Sequence, residues 1–268
     1  MPTIAVIGAG GRMGHALIRV IAETPGAKLA AAVEHAKSPV LGIDAGTLAG
    51  CPAQQVAVSA DFPAAGAASV WIDFSVASQT ASVAAAASER GAALVVGTTG
   101  VDAAGKAAIA AAAKRVPVVY TPNMSVGVNV LLKIVADAAR LLGPDYDMEI
   151  VETHHRLKRD SPSGTALRLA EALAEATGRD LAKDARYERH GDVGPRTKNE
   201  IGLQTIRGGD VVGDHTVFFL GLGDRVEITH KASSRETFAR GAVRAALWAA
   251  GQAPGQYDMR DVLGFSRD

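Results

Sequence analysis

The residues from Glu152 to Ala166, in the order ETHHRLKRDSPSGTA, hold the densest reactive chemistry in the chain. His154, His155, Arg156, Lys158 and Arg159 fall within six consecutive positions. Imidazole exchanges protons near neutral pH, and a lysine ammonium can donate a proton or neutralise an anion. Just downstream, Ser161 suits a helix N-cap and Pro162 the first helical position. The first-turn amides of Gly164 and Thr165 would then face an anion, and Gly164 leaves room for a close approach. This pattern predicts a carboxylate cradle beside an acid–base cluster, the alternative being a solvated basic surface. No metal is expected. Adjacent residues on an extended strand point to opposite faces, so His154 and His155 are poorly placed to chelate together. The sequence has neither an H-E-x-x-H motif nor a cysteine pair.

A second signature is GAGGRMG at residues 8–14, directly after the apolar run Thr3 to Ile7. The usual G-x-G-x-x-G spacing would place its third glycine at position 13; Met13 stands there, and Gly14 follows one residue later. The physics survives the shift. Gly8 permits the tight turn, Gly10 and Gly11 let backbone approach a pyrophosphate, and the helix start at Arg12 supplies amide donors. Glu34 lies at the end of the second strand, where an acid commonly accepts both ribose hydroxyls. A carboxylate there repels a 2′-phosphate and favours NADH. Arg12 and His35 offset this for NADPH, so the preference stays open. Gly97-Thr98-Thr99-Gly100 and Thr121-Pro122-Asn123-Met124 each follow a strand and so belong to the same sheet edge. They can hold the nicotinamide half, although each alone reads better as an ordinary βα turn.

Positioning these groups takes two kinds of architecture. In the first half, strands at 3–7, 28–33, 70–74, 93–96 and 116–120 alternate with helices at 12–23, 78–90 and 102–115. That alternation predicts an α/β fold with a parallel, doubly wound sheet. After Pro122 the order changes: a long helix over 126–142, a strand at 148–153, a helix at 166–176, then strands at 202–207, 216–220 and 225–230. This is a second, α+β domain. A final helix over 235–250, with no strand after it, returns to cover the first domain.

Composition narrows the function classes. A 48% hydrophobic fraction with zero formal net charge excludes intrinsic disorder. A single cysteine, Cys51, excludes a disulfide scaffold. Lys and Arg number 28 against 28 Asp and Glu, which disfavours nucleic acid as a partner. No run reaches the roughly 18 apolar residues of a membrane span. The start has no basic segment before its apolar run, so it is not read as a signal peptide, and a cytoplasmic protein is expected. A short-chain reductase would need a lysine four residues after a tyrosine, and none of Tyr120, Tyr146, Tyr187 or Tyr257 has one.

With GTTG at 97–100, PNMSVGVN at 122–129, IRGGDVVGDHTV at 206–217 and EITHKASSRETFARGAVRAALW at 227–248, these segments span nearly the whole chain. In that order the chain resembles the 4-hydroxy-tetrahydrodipicolinate reductase (dihydrodipicolinate reductase) family of bacterial diaminopimelate and lysine biosynthesis. The resemblance implies a Rossmann-like dinucleotide-binding domain over 1–125, completed by 235–268, and a substrate-binding and tetramerisation domain over 126–234. It implies a homotetramer, NADH or NADPH as cofactor, and a small dicarboxylate substrate. Gly8, Ala9, Gly10, Gly11, Arg12, Met13, Glu34, Gly97, Thr98, Thr99, Thr121, Pro122, Asn123 and Met124 would contact the cofactor. His154 would be the acid–base residue and Lys158 the proton donor, with His155, Gly164 and Thr165 on the substrate carboxylates. His35 stands where the family often has arginine, and Ser161 where it often has alanine. The competing readings are an aspartate- or homoserine-type dehydrogenase and a non-catalytic NAD(H)-sensing regulator.

Overall fold

The computed structural model describes residues 1–60 and 62–265, and the chain divides into two compact units, 1–126 with 235–268, and 127–234. Residues 61 and 266–268, within the expected dinucleotide-binding segments, lie outside the described residues. In the first unit β1 (Thr3–Ile7), β2 (Lys28–Val33), β3 (Val58–Ser59), β4 (Val70–Asp73), β5 (Ala93–Val96) and β6 (Pro117–Tyr120) alternate with helices. These are α1 (Arg12–Glu23), α2 (Ala45–Ala49), α3 (Thr80–Glu89) and α4 (Ala103–Ala112). The strands β4 and β5 are buried at every position, as a parallel sheet covered on both faces requires. Asp102 caps α4 by accepting the Gly105 amide at 2.7 Å.

The second unit contains α5 (Val126–Leu142), β7 (Asp147–His154), α6 (Gly164–Thr177), α7 (Leu181–Asp184), β8 (Ala185–Arg186), β9 (Ile201–Arg207), β10 (Gly213–Leu220) and β11 (Arg225–Ala232). Its sheet runs β11-β10-β7-β9-β8 and is mixed: β7 pairs parallel with β9, and β10 pairs antiparallel with β7 and β11. Met148, Ile150, Leu203, Val217 and Phe219 pack one sheet face against Leu131 and Val135 of α5 and Leu169 and Leu173 of α6. Burial alternates strictly along β7, so Met148, Ile150, Glu152 and His154 share that covered face. The face is apolar where the helices cover it and turns polar at Glu152.

The chain then returns to the first unit through α8 (Glu236–Ala249), β12 (Gly255–Tyr257) and α9 (Met259–Leu263). The expectation that no strand follows the final helix is overturned: β12 pairs in parallel with β6, Gly255 beside Pro117 and Tyr257 beside Val119. Three residues, GQY, carry no alternation to read. Their place is set by the Tyr257 ring, which meets Trp248 of α8 edge-on at 5.0 Å. The completed seven-stranded sheet is parallel, ordered β12-β6-β5-β4-β1-β2-β3. The chain winds outward from β1 to β3, then restarts at β4 on the other side of β1. The carboxyl ends of β1 and β4 therefore flank the switch point, where such sheets bind ligands. One face packs on α1 and α8, the other on α3 and α4.

Candidate active site

At the switch point, the amides of Gly8 and Ala9 both donate to Val33 O, at 2.9 and 3.0 Å, which folds the glycine turn over the end of β2. Gly8 has φ +84°, a left-handed conformation that side chains rarely adopt. Gly14 does the work of the displaced third glycine: a Cβ there would lie 2.3 Å from Gly8 O and 2.5 Å from Ala9 O. Gly11 is the N-cap of α1 and offers no side chain to its first-turn amides, which suits a phosphate. Glu34 folds back on the loop, Oε1 accepting the Gly10 amide at 2.9 Å and Oε2 the His35 amide at 3.0 Å. Arg12 and His35 are exposed. This turn, bare helix start and strand-end acid fit a dinucleotide.

The later loops close around the same edge. Thr98 is buried and its Oγ1 donates to Asp73 O at 3.3 Å; Thr99 is exposed. A Cβ on Gly97 would strike the Phe74 ring at 2.2 Å, so that ring lies directly on the loop backbone. Asn123 Oδ1 accepts the Ser125 amide, and Ser125 Oγ meets Thr237 Oγ1 of α8 at 3.2 Å. Thr121 is buried and Pro122 exposed, while the side chains of Ala9 and Met124 lie in the core and leave only main chain for a ligand. Sequence reasoning assigned no role to Asp73 or Phe74. Asp73 is fully buried, and its Oδ1 accepts both the amide and hydroxyl of Ser75, at 2.9 and 2.6 Å. Burial pushes its carboxyl above the ordinary range, against the pull of the Ser75 hydrogen bonds.

In the second unit the reactive groups gather at the polar end of the covered sheet face. His154 ends β7, and its Nδ1 lies 2.5 Å from Glu152 Oε2. The carboxylate also accepts Arg207 Nη1 and Nη2, each at 2.8 Å, the Ser163 amide at 3.0 Å, and Thr205 Oγ1 at 3.3 Å. Burial alone would raise the Glu152 carboxyl, but the hydrogen bonds from His154, Arg207 and Ser163 hold it well below the usual carboxylate range. An ionised carboxylate only accepts, so His154 donates from Nδ1. His215 packs edge-on to His154 with ring centroids 5.2 Å apart, and its Nε2 meets Ser163 Oγ at 3.0 Å. Burial first, then His154, lowers the His215 pKa to about 4, so the ring is neutral at physiological pH.

The helix start differs from the expectation. Ser163, not Ser161, is the N-cap: its Oγ accepts the Ala166 amide at 3.1 Å, and Gly164 opens α6. The reason is Glu152, which takes the Ser163 amide and fixes the chain there. Gly164 and Thr165 thus occupy the first two helical positions, and a Cβ on Gly164 would meet nothing within 4 Å, so open space stands beside it. Lys158 pairs with Asp160 at 2.9 Å. His155 donates its amide to Val211 O at 2.8 Å. The Nδ1 atoms of His155, His215 and His230 are buried without a hydrogen-bond partner among the described residues. Among the described residues no group of His, Cys, Asp and Glu could hold a metal. Burial pushes the Cys51 thiol up, away from reactivity.

A glycine turn and strand-end acid that fit a dinucleotide in a parallel sheet, with a buried histidine–carboxylate pair beside a helix start in a second unit, define the architecture of a nicotinamide-dependent oxidoreductase. Comparison with known proteins makes this specific. The model "Dihydrodipicolinate reductase, N-terminus" matches residues 2–124 and "Dihydrodipicolinate reductase, C-terminus" matches 127–263. The chain belongs to the dihydrodipicolinate reductase family. It is 57% identical to the 4-hydroxy-tetrahydrodipicolinate reductase of Anaeromyxobacter dehalogenans, over 98% of each chain. With the enzyme of that name from Syntrophotalea carbinolica it shares 52% identity, over 98% of this chain and 99% of the other. The solved dipicolinate-bound dihydrodipicolinate reductase from Paenisporosarcina sp. TG-14 has the same fold, with TM-score 0.77 at 21% identity over 96% and 97% of the two chains. The chain is therefore an NAD(P)H-dependent oxidoreductase of lysine and diaminopimelate biosynthesis. These matches do not favour the dehydrogenase and sensor readings.

Proposed function

We propose that the chain reduces 4-hydroxy-tetrahydrodipicolinate to tetrahydrodipicolinate, with loss of water, and that His154 and Lys158 carry the proton chemistry. When bound, NADH or NADPH supplies the hydride. Residues 1–125 with 235–268 hold the dinucleotide, through Gly8 to Met13, Glu34, the 97–99 loop and the 121–124 loop. Residues 126–234 hold the substrate. Its carboxylates are taken by His155 and by the helix start at Gly164 and Thr165. The Lys158 ammonium neutralises a carboxylate, withdraws electron density from the ring and donates a proton. His154, its Nδ1 engaged by Glu152, exchanges a proton at Nε2.

The observation that carries this reading is the double use of Glu152. One buried carboxylate binds the His154 imidazole and the amide that starts the anion cradle. The acid–base group and the carboxylate site are therefore one network. The test is a coupled assay in which substrate, freshly made from pyruvate and aspartate semialdehyde, is followed by NADH and NADPH oxidation. Consumption no faster than the substrate-free control would end the proposal. Pyridine-2,6-dicarboxylate is expected to raise the melting temperature, more so with NADH present.

We further propose a homotetramer built through the second unit's sheet. Opposite its helix-covered face, β7, β9 and β10 present half-buried Val151 and Phe218 and exposed Ile206. These apolar side chains, set among Glu149, Thr153, Gln204 and Thr216, support an interface on this face. No helix among the described residues is long and apolar enough to cross a membrane. With one cysteine in the chain, a cytoplasmic location fits.

A further inference from the structure

The Glu152 carboxylate is fully buried and takes hydrogen bonds from His154, Ser163, Thr205 and Arg207. Strand pairing explains why. Glu152 and His154 are two residues apart on β7 and share a face, while Thr205 of β9 and His215 of β10 sit directly opposite Glu152. Arg207, opposite His154, forks onto both carboxylate oxygens and also donates to Asp160 O at 2.8 Å, on the loop that carries Lys158. Ser163, which opens the anion cradle, donates its amide to the same carboxylate. Gly213 belongs to this design, because a Cβ there would lie 2.9 Å from His154 Nε2.

We infer that Glu152, clamped by Arg207, is the positioning residue of the reaction: it fixes His154 with the proton on Nδ1 and Nε2 turned to the exchange, and it holds the lysine loop and the helix start in register with it. This rests on the acid–base role proposed for His154. The hydrogen-bond arithmetic leaves one solution. Oxygen Oε1 faces three donors, Ser163 N, Thr205 Oγ1 and Arg207 Nη2; oxygen Oε2 faces Arg207 Nη1 and His154 Nδ1. A glutamine at this position must point its NH₂ group at one of these two sets. The smaller conflict is on the His154 side, where the amide would donate to Nδ1 and drive the imidazole proton to Nε2. Glu152→Gln thus changes the tautomer of His154 with almost no change of shape.

The experiment uses the full chain with ¹⁵N-labelled histidine, in wild type, Glu152→Gln and Glu152→Asp. It reads the His154 nitrogen shifts, kcat, the dissociation constant for NADH and the melting temperature. Expected for Glu152→Gln are an unaltered NADH constant, a switch of His154 from Nδ1–H to Nε2–H, and a kcat lower by about 10²–10⁴-fold. Glu152→Asp keeps the charge but draws the oxygens back by about 1.5 Å, so Nδ1–H is retained and kcat falls between the other two. An Nδ1–H tautomer persisting in Glu152→Gln, with kcat within threefold of wild type, overturns the inference. A tautomer switch without loss of kcat upholds the orienting contact but overturns the acid–base role of His154, so the two failures read differently. If Glu152→Gln does not accumulate as folded protein, wild-type kcat in Glu152→Asp overturns the inference by itself.

Discussion

The glycine turn gives the most demanding test of the dinucleotide cradle, because two of its glycines are required for different reasons. Gly14 is fixed by packing. A Cβ there would lie 2.3 Å from Gly8 O and 2.5 Å from Ala9 O, both main-chain atoms that no rotamer change can move. Reaching an ordinary C···O separation of about 3.3 Å pushes α1 off β1 by about 1 Å. Overpacking of this kind costs about 1–3 kcal/mol, and a chain of this size loses about 2–4 °C of melting temperature per kcal/mol. The same displacement carries the first-turn amides of α1 away from the proposed pyrophosphate site. Losing one charge-assisted hydrogen bond there, about 1.5–3 kcal/mol, weakens NADH by about 10–100-fold. Gly11 differs. Its Cβ would meet only Gly8 O, at 3.4 Å, and its extended backbone suits alanine. Gly11→Ala therefore costs only the preference of glycine over alanine at an N-cap, under about 1 kcal/mol, while its methyl group intrudes on space the protein leaves open. The expected result is that Gly14→Ala melts well below Gly11→Ala while both bind NADH more weakly, read by differential scanning fluorimetry and fluorescence titration. Wild-type melting and affinity in Gly14→Ala would refute the close-packing argument. Wild-type affinity in Gly11→Ala would refute the cradle.

Lys158→Ala should lower kcat by about 10²–10⁴-fold with the NADH dissociation constant unchanged. Its partner Asp160 is 63% exposed, so the lost pair should barely move the melting temperature; normal turnover would remove Lys158 from the mechanism. His215 gives a pH signature of stability. Its folded pKa, about 4, lies below the ordinary 6.5, so between these values the unfolded chain binds the proton and the folded chain does not. Stability then falls as pH drops from about 6.5 to about 4, by at most on the order of 3 kcal/mol. Denaturant melts of His215→Gln against wild type should show a shallower slope there, and parallel curves would contradict it; His15 and His230, also lowered by burial, leave a common slope in both. Phe218→Glu puts a charge on the open face of the second unit's sheet and should break the proposed tetramer into smaller species by light scattering. An unchanged mass would place the interface elsewhere.

The central strands and α1 were legible because their signals are local. Thr3–Ile7, Lys28–Val33 and Ala93–Val96 are short apolar runs between turn residues, and α1 begins at the residue after its glycines. Strand β12 escaped because nothing in GQY alternates; its partner β6 lies well over a hundred residues earlier. The same distinction separates the groups proposed to do chemistry from those proposed to position them. His154, Lys158 and Gly164 announce themselves by type and spacing. Glu152 and Arg207 read as ordinary charged residues until the pairing of β7 with β9 sets Arg207 opposite His154 and buries the carboxylate between them. One signal was present all the same. In a strand with period two, Met148, Ile150, Glu152 and His154 must share a face. An acid that continues a buried apolar series, two residues before a candidate acid–base histidine, has no cheap resting place unless the histidine and a cation take it up. That cost is what selects Ser163 over Ser161 as the start of α6. The Ser163 amide is needed by the carboxylate, and the cap follows the charge rather than the proline.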